Sequence, residues 1–172
     1  MKLILVRHTI TPWNIEKRLQ GQTDIELGQK GKEEAESLAR SLEKEVVDRI
    51  YASDLKRAMQ TAEIIARVKK LPVSKDVRLR ECSFGSIEGH TIEEVVLRYG
   101  GDDYSHYDLK PYGGEDRTQV VRRHLSFLEE TKERHDEETV LVVGHGRSLN
   151  TLLHELGHEP NLKRGEYRVV EC

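Results

Sequence analysis

Cysteine is scarce: Cys82 and Cys172 are the only two in 172 residues. Such a pair makes neither a disulfide framework nor a zinc-knuckle spacing. No apolar run approaches the length that spans a bilayer, and the short N-terminal apolar stretch is not followed by a cleavage-like segment. The expected setting is therefore cytoplasmic, with no membrane partner. A basic surplus is also lacking. Net charge is −3, which argues against a nucleic-acid partner and means that an anionic ligand must be held by local cations. Internal repeats, low-complexity tracts and interdomain linkers are missing too, so residues 1–172 are expected to form one domain.

What is present is an alternation of strands and helices. Leu3–Val6 is a continuous apolar run that reads as a buried strand. Ala35, Leu38, Ala39 and Leu42 line one face of a helix over 29–44. A second strand is expected over Val46–Tyr51, followed by a helix capped by Ser53 or Asp54 with Leu55, Ala58, Met59, Ala62 and Ala66 inward. A short strand follows at Pro72–Val73. Thr91–Glu94 has the form of a capping box, starting a helix that runs to Tyr99. Gly100–Gly114 is turn-rich and long enough to be a lid, within an insertion of about 88–116. A helix over 115–135 is expected to present Val121, His124, Leu125 and Leu128 on one side. Thr139–Val143 reads as a strand, Arg147–Leu156 as a helix and Tyr167–Val170 as a last strand. This order implies a mostly parallel sheet covered on both faces, with ligands beyond the carboxyl ends of the strands.

Three strand-to-helix junctions bring polar residues to that rim: Arg7-His8, Arg57, and Gly144-His145-Gly146. An arginine in a helix's first turn is disfavoured by about 0.3–1 kcal/mol, and a bound anion reverses the sign. Free N–H groups at helix N-termini favour phosphate, and guanidinium matches phosphate oxygens bidentately. A neutral imidazole whose other nitrogen donates to a carbonyl can attack phosphorus. A second, protonated imidazole can stabilise the charge that develops. The leaving alkoxide needs a proton, for which Glu81 is the first choice and Glu88 its rival. A carboxyl among cations must be desolvated to stay protonated.

These residues lie in LVRHTITPWN, RLQG, YASDLKRAMQTAEIIA, LRECSFGSIEG and VVGHGRSLN, which together resemble the histidine phosphatase superfamily, also called the phosphoglycerate mutase-like family. The resemblance implies a three-layer αβα fold with a mostly parallel central sheet. It implies a metal-independent phosphomonoesterase, needing no cofactor, that acts on a small phosphorylated substrate through a phosphohistidine. It makes His8 the nucleophile, places the phosphoryl group among Arg7, Arg57 and His145, with Gly146 beside it, and assigns Glu81 as proton donor. Asn14 matches a phosphate-contacting asparagine and Gln20 a residue at the pocket edge. PYGGED resembles a stretch of broad-specificity and α-ribazole phosphatases, and the short chain favours hydrolysis over mutase chemistry. A phosphate-binding module without turnover is the non-enzyme alternative. The departures are Thr9 and Ile10, where the family carries Gly and then Glu or Gln, and an exchange that puts Arg at 147 and Asn at 150. Nothing in the chain sets an oligomeric state.

Two motifs compete with this reading. HELGH, His154–His158, matches a zinc-protease pattern, but Gly157 and Pro160 place its second histidine beyond a helix end. A Cys82 phosphate loop of the Cys-x5-Arg type would need Arg where Glu88 stands.

Overall fold

The computed structural model describes residues 1–99 and 109–171. Five strands form one sheet: β1 (Lys2–Arg7), β2 (Arg49–Ala52), β3 (Val73–Lys75), β4 (Thr139–Gly144) and β5 (Tyr167–Glu171), in the order β3-β2-β4-β1-β5. The first four are parallel and β5 is an antiparallel edge on β1. The helices are α1 (Pro12–Ile15), α2 (Gln29–Ser41), α3 (Lys56–Lys69), α4 (Ile92–Tyr99), α5 (Arg117–His135) and α6 (Gly146–Glu155). No described helix is long and apolar enough to cross a membrane.

The apolar runs sit at the centre because β1 and β4 are covered on both faces. Alternate side chains point opposite ways. Ile4, Val6, Leu141 and Val143 pack with Leu38, Ala39, Ala58, Ala62 and Ile65 of α2 and α3. Leu3, Leu5, Val140 and Val142 pack with Phe127 and Leu128 of α5 and Leu149, Leu152 and Leu153 of α6. Each fully buried leucine or isoleucine here contributes roughly 1.5–3 kcal/mol of transfer free energy.

Several local expectations need correction. The second strand begins at Arg49, three residues late, because Val46 lies outside the core, 68% exposed. Neither Ser53 nor Asp54 caps α3. Leu55 is the cap residue and makes no side-chain cap bond; Asp24 Oδ1 accepts from Lys56 N across the chain (2.7 Å), while Asp54 pairs bidentately with Arg80 (2.7 and 2.6 Å). On α5, His124 and Leu128 are buried as expected, together with Val120, Phe127 and Thr131, while Leu125 packs partly buried against the core and Val121 is half-buried. The capping box at Thr91–Glu94 forms as expected. Most of the expected lid, 100–108, lies outside the described residues. Its end does not hang free: Leu109 is buried with Leu19, Cys82, Phe84, Ile87 and Val95, and Glu115 N bonds the Ser83 carbonyl (2.9 Å).

His124 is a buried imidazole in the α5–α6 layer. Its Nδ1–H donates to the Val120 carbonyl (3.1 Å). Burial, and next the adjacent Arg123 cation, lower its pKa from 6.5 to about 4. The unfolded chain therefore binds the proton first as pH falls, so stability present above pH 6.5 is lost as pH falls through 4, by about 3 kcal/mol in full. Denaturant titrations at pH 7.5 and 4.5 will show a smaller acid loss, by about 2–3 kcal/mol, in His124→Leu than in the native chain. Equal losses in both proteins would contradict this assignment.

Candidate active site

The parallel register brings the three junctions together. Arg7 lies opposite Gly144, and Val143 lies level with both Val6 and Ala52. His8 N bonds the Gly144 carbonyl and Ser53 N the Val143 carbonyl, each at 3.0 Å. The next residue after each of β1 and β4 is a histidine, so His8 and His145 meet edge to face with ring centroids 5.2 Å apart. His8, Asn14, Gln20, Arg7, Arg57 and Glu81 line one cavity of about 420 Å³. A larger concavity of about 920 Å³ lies across Arg7 against α2, but it contains neither histidine nor Glu81.

His8 is 4% exposed and lines the cavity. Its Nδ1 lies 2.7 Å from the Thr9 carbonyl. With Nδ1–H donating there, Nε2 keeps its lone pair. Burial, reinforced by Arg57, holds the pKa well below 6.5, so the ring is neutral and nucleophilic at neutral pH.

Arg57 is almost fully buried. It donates through Nη2 to the Gly21 carbonyl (2.6 Å), through Nη1 to the Thr23 carbonyl (2.8 Å) and through Nε to His145 Nδ1 (3.2 Å). These three bonds leave two of its five N–H groups. Burial lowers its pKa to about 10, so it remains a cation. The bond from Arg57 also corrects the expected state of His145. A ring that accepts at Nδ1 is neutral, and burial keeps its pKa well below 6.5. Its proton is then on Nε2, which is buried and has no protein acceptor among the described residues. His145 is thus a neutral donor, and the charge is carried by Arg57.

Arg7 donates to the Leu162 carbonyl (3.2 Å). Gly146 explains itself through Arg7: a Cβ at 146 would lie 2.5 Å from the guanidinium carbon. Asn14 caps α1 reciprocally with Thr11, its Oδ1 accepting from Thr11 N and Oγ1 (3.1 and 3.2 Å), which leaves its Nδ2 donors for the cavity. Gln20 Oε1 accepts from Thr11 Oγ1 (3.1 Å).

The structure separates the two carboxylates. Glu81 Oε1 accepts from Cys82 N and Ser148 N (2.9 and 2.8 Å), and Oε2 from Arg147 N (3.1 Å). It lines the cavity and is 8% exposed. Glu88 does not line the cavity. Its oxygens accept from the backbone N–H groups of Gln22, Thr23 and Phe84 (3.0, 2.9 and 2.9 Å), tying down the loop whose carbonyls hold Arg57. The Arg147 and Ser148 N–H groups in the first turn of α6 are therefore engaged by Glu81, and the Lys56 N–H of α3 by Asp24. Arg123 braces the backbone of Glu81: it pairs with Glu115 (2.9 Å) and donates to the Arg78, Arg80 and Glu81 carbonyls (2.6, 2.6 and 3.0 Å).

The departures from the family pattern find places as well. Thr9 does not crowd the nucleophile. Its hydroxyl points away, donating to the Gly31 carbonyl (2.8 Å) within the α2–α3 packing. Ile10 N donates to Glu34 Oε2 (3.1 Å). Asn150 pins Leu162 N (2.8 Å), the residue whose carbonyl orients Arg7. Cys82 is inert, its thiol pushed up to about 12 by burial. In HELGH, α6 ends at Glu155 and Gly157 turns the chain at φ +77°, so His154 and His158 do not share a helical face; His154 instead meets Arg117 (2.8 Å). Arg147, Arg164 and Lys17 also line the cavity, and the motifs gave no signal for them as site residues.

This arrangement of two arginines and two neutral imidazoles at the rim of a parallel sheet is that of a phosphoryl-transfer site. The model of the histidine phosphatase superfamily (branch 1) matches residues 3–170, and the chain belongs to that superfamily. Phosphoserine phosphatase 1 of Hydrogenobacter thermophilus is 41% identical over 150 residues, covering 84% of this chain and 71% of that protein. Mycobacterial glucosyl-3-phosphoglycerate phosphatase, solved in complex with VO3, superposes with a TM-score of 0.89 at 28% identity over 99% of this chain and 90% of its own. An Entamoeba histolytica phosphoserine phosphatase variant in complex with phosphoserine gives 0.79 at 28% identity, covering 98% and 89%. The chain is a phosphatase of this superfamily.

Proposed function

We propose that the protein is a metal-independent phosphomonoesterase of the cytoplasm that hydrolyses small phosphorylated metabolites through a phosphohistidine on His8. The observation that carries this reading is the tethered His8 ring, which lines one cavity with Arg7, Arg57 and Glu81 and rests edge to face on the buried His145 ring, whose Nε2 has no partner among the described residues. In the first step the Nε2 lone pair forms a bond to phosphorus while the phosphorus–oxygen bond to the alcohol breaks. The departing oxygen takes the proton of the Glu81 carboxyl. Arg7, Arg57 and His145 donate to the oxygens on which charge builds, and fixed donors of this kind are each worth roughly 10²–10³ in rate. In the second step Glu81, now a carboxylate, removes a proton from water. That water displaces the phosphoryl group, and the bonding pair returns to Nε2. The Cys82 and Ser148 N–H groups hold Oε1, whereas Oε2 meets only the Arg147 N–H, so Oε2 is the oxygen through which Glu81 gives and takes the proton.

The test is hydrolysis of p-nitrophenyl phosphate and an alkyl phosphate, with and without EDTA. Turnover is expected to survive the chelator. Glu81→Gln is expected to slow the alkyl ester by roughly 10²–10⁴ and the nitrophenyl ester far less, because nitrophenolate departs without a proton. Equal slowing of both esters would move the acid elsewhere. Chelator-sensitive turnover would overturn the metal-independent reading, and phosphate binding without hydrolysis would favour a binding module. Relatives named for phosphoserine and glucosyl-3-phosphoglycerate, together with the α-ribazole-like PYGGED stretch, define the first metabolites to screen.

A further inference from the structure

The cavity is more cationic than a phosphoryl group requires. Arg7, Lys17, Arg18, Arg57, Arg147 and Arg164 line it, against the single carboxylate of Glu81. Arg7 and Arg57 stand at His8. Arg18 is committed to Glu16 (2.6 Å) and to the Gly89 carbonyl (2.8 Å). Lys17 and Arg164 are exposed and surrender little hydration. Arg147 is different. Its guanidinium lies over the Phe84 ring, 5.7 Å from the centroid. Its Nη1 is buried without a hydrogen-bond partner among the described residues. Glu81 does not neutralise it through the side chain, because the carboxylate is taken up by backbone N–H groups, including that of Arg147 itself. A buried guanidinium nitrogen without an acceptor is costly, and an arginine face stacked on an aromatic ring keeps its N–H edge free for a planar or tetrahedral anion.

Position decides which half of the substrate that edge meets. The phosphoryl group belongs beside His8, and the alcohol oxygen beside Glu81. Arg147 donates its main-chain N–H to Glu81 Oε2 (3.1 Å), and Phe84, which lies under its guanidinium, lines the same cavity as Glu81, which puts the guanidinium on the alcohol's side. We propose that Arg147 is a specificity residue that recognises a second anionic group carried by the leaving alcohol, which makes the preferred substrates phosphomonoesters with a further carboxylate or phosphate. This rests on the phosphomonoesterase reading above and narrows it. Arg147 has no part in bond making; it sets which ester is held.

The experiment compares kcat/KM for three esters on one skeleton: 3-hydroxypropyl phosphate, 3-phosphooxypropanoate and propane-1,3-diyl bisphosphate. The native protein is expected to prefer at least one charged ester over the neutral one by about tenfold or more, since a site built for a polar partner rejects its absence. The ester preferred tells whether the second anion is a carboxylate or a phosphate. In Arg147→Leu the charged-to-neutral ratio is expected to fall to within about twofold, whatever loss the esters share, and Arg147→Lys is expected to keep part of it. No preference in the native protein, or a ratio that survives Arg147→Leu, overturns the proposal while leaving phosphatase action standing. Failure of the native protein on p-nitrophenyl phosphate and on all three esters would instead overturn the parent reading, and this one with it.

Discussion

His8→Ala is expected to lower kcat for p-nitrophenyl phosphate by about 10⁴-fold or more, the scale on which removal of a covalent nucleophile acts. The loss should come with little change in fold. Among the described residues the His8 side chain makes one hydrogen bond, to the neighbouring Thr9 carbonyl, and β1 is held by its backbone register and by Leu3–Val6. Circular dichroism and the thermal midpoint will therefore stay close to native while turnover disappears. A residual rate within tenfold of native would mean that water attacks phosphorus directly and that the imidazole only orients it.

The second large effect belongs to Arg57. Arg57→Ala removes the donor to His145 Nδ1 and, on the proposed mechanism, the cation that clamps the phosphoryl group. The rate should fall by about 10³-fold. Stability should fall as well, because the Gly21 and Thr23 carbonyls and His145 Nδ1 lose their donor, at roughly 1–3 kcal/mol for each group that stays buried and unpaired. Arg57→Lys restores the charge but not the fork, so a loss of about 10²-fold should remain. Steady-state kinetics and denaturant titration on the two variants separate the effects. Full activity in Arg57→Lys would show that charge alone matters and that the three-way anchoring is incidental.

How far the chain can be read without coordinates depends on whether partners are near or far in sequence. Leu3–Val6 and Thr139–Val143 announce central strands because apolar continuity is a local signal, and the residues that follow them fall at the functional rim by topology. The capping box at Thr91 is equally local. On α5, His124 and Leu128 face inward as read, but Val120 rather than Val121 is buried, because an adjacent apolar pair gives no local sign of which member meets the cluster around Cys82 and Phe84. The cap of α3 is invisible for a different reason: its acceptor, Asp24, comes from the loop before α2. Glu81 and Glu88 share one segment, and only the fold shows that Glu88 is consumed by the 21–23 loop while Glu81 faces the cavity. The charge state of His145 turns on a bond from a residue in α3, and composition offers no sign of it. Arg164 reaches the cavity from the segment before β5, far from every motif.

The proposed mechanism makes two displacements at phosphorus rather than one. The direct measurement is the stereochemical course of hydrolysis of a phosphorothioate monoester made chiral at phosphorus by oxygen isotopes. Attack by His8 Nε2 followed by attack of water inverts the centre twice, so the inorganic thiophosphate should show net retention. Net inversion would mean a single transfer to water and would contradict the phosphohistidine.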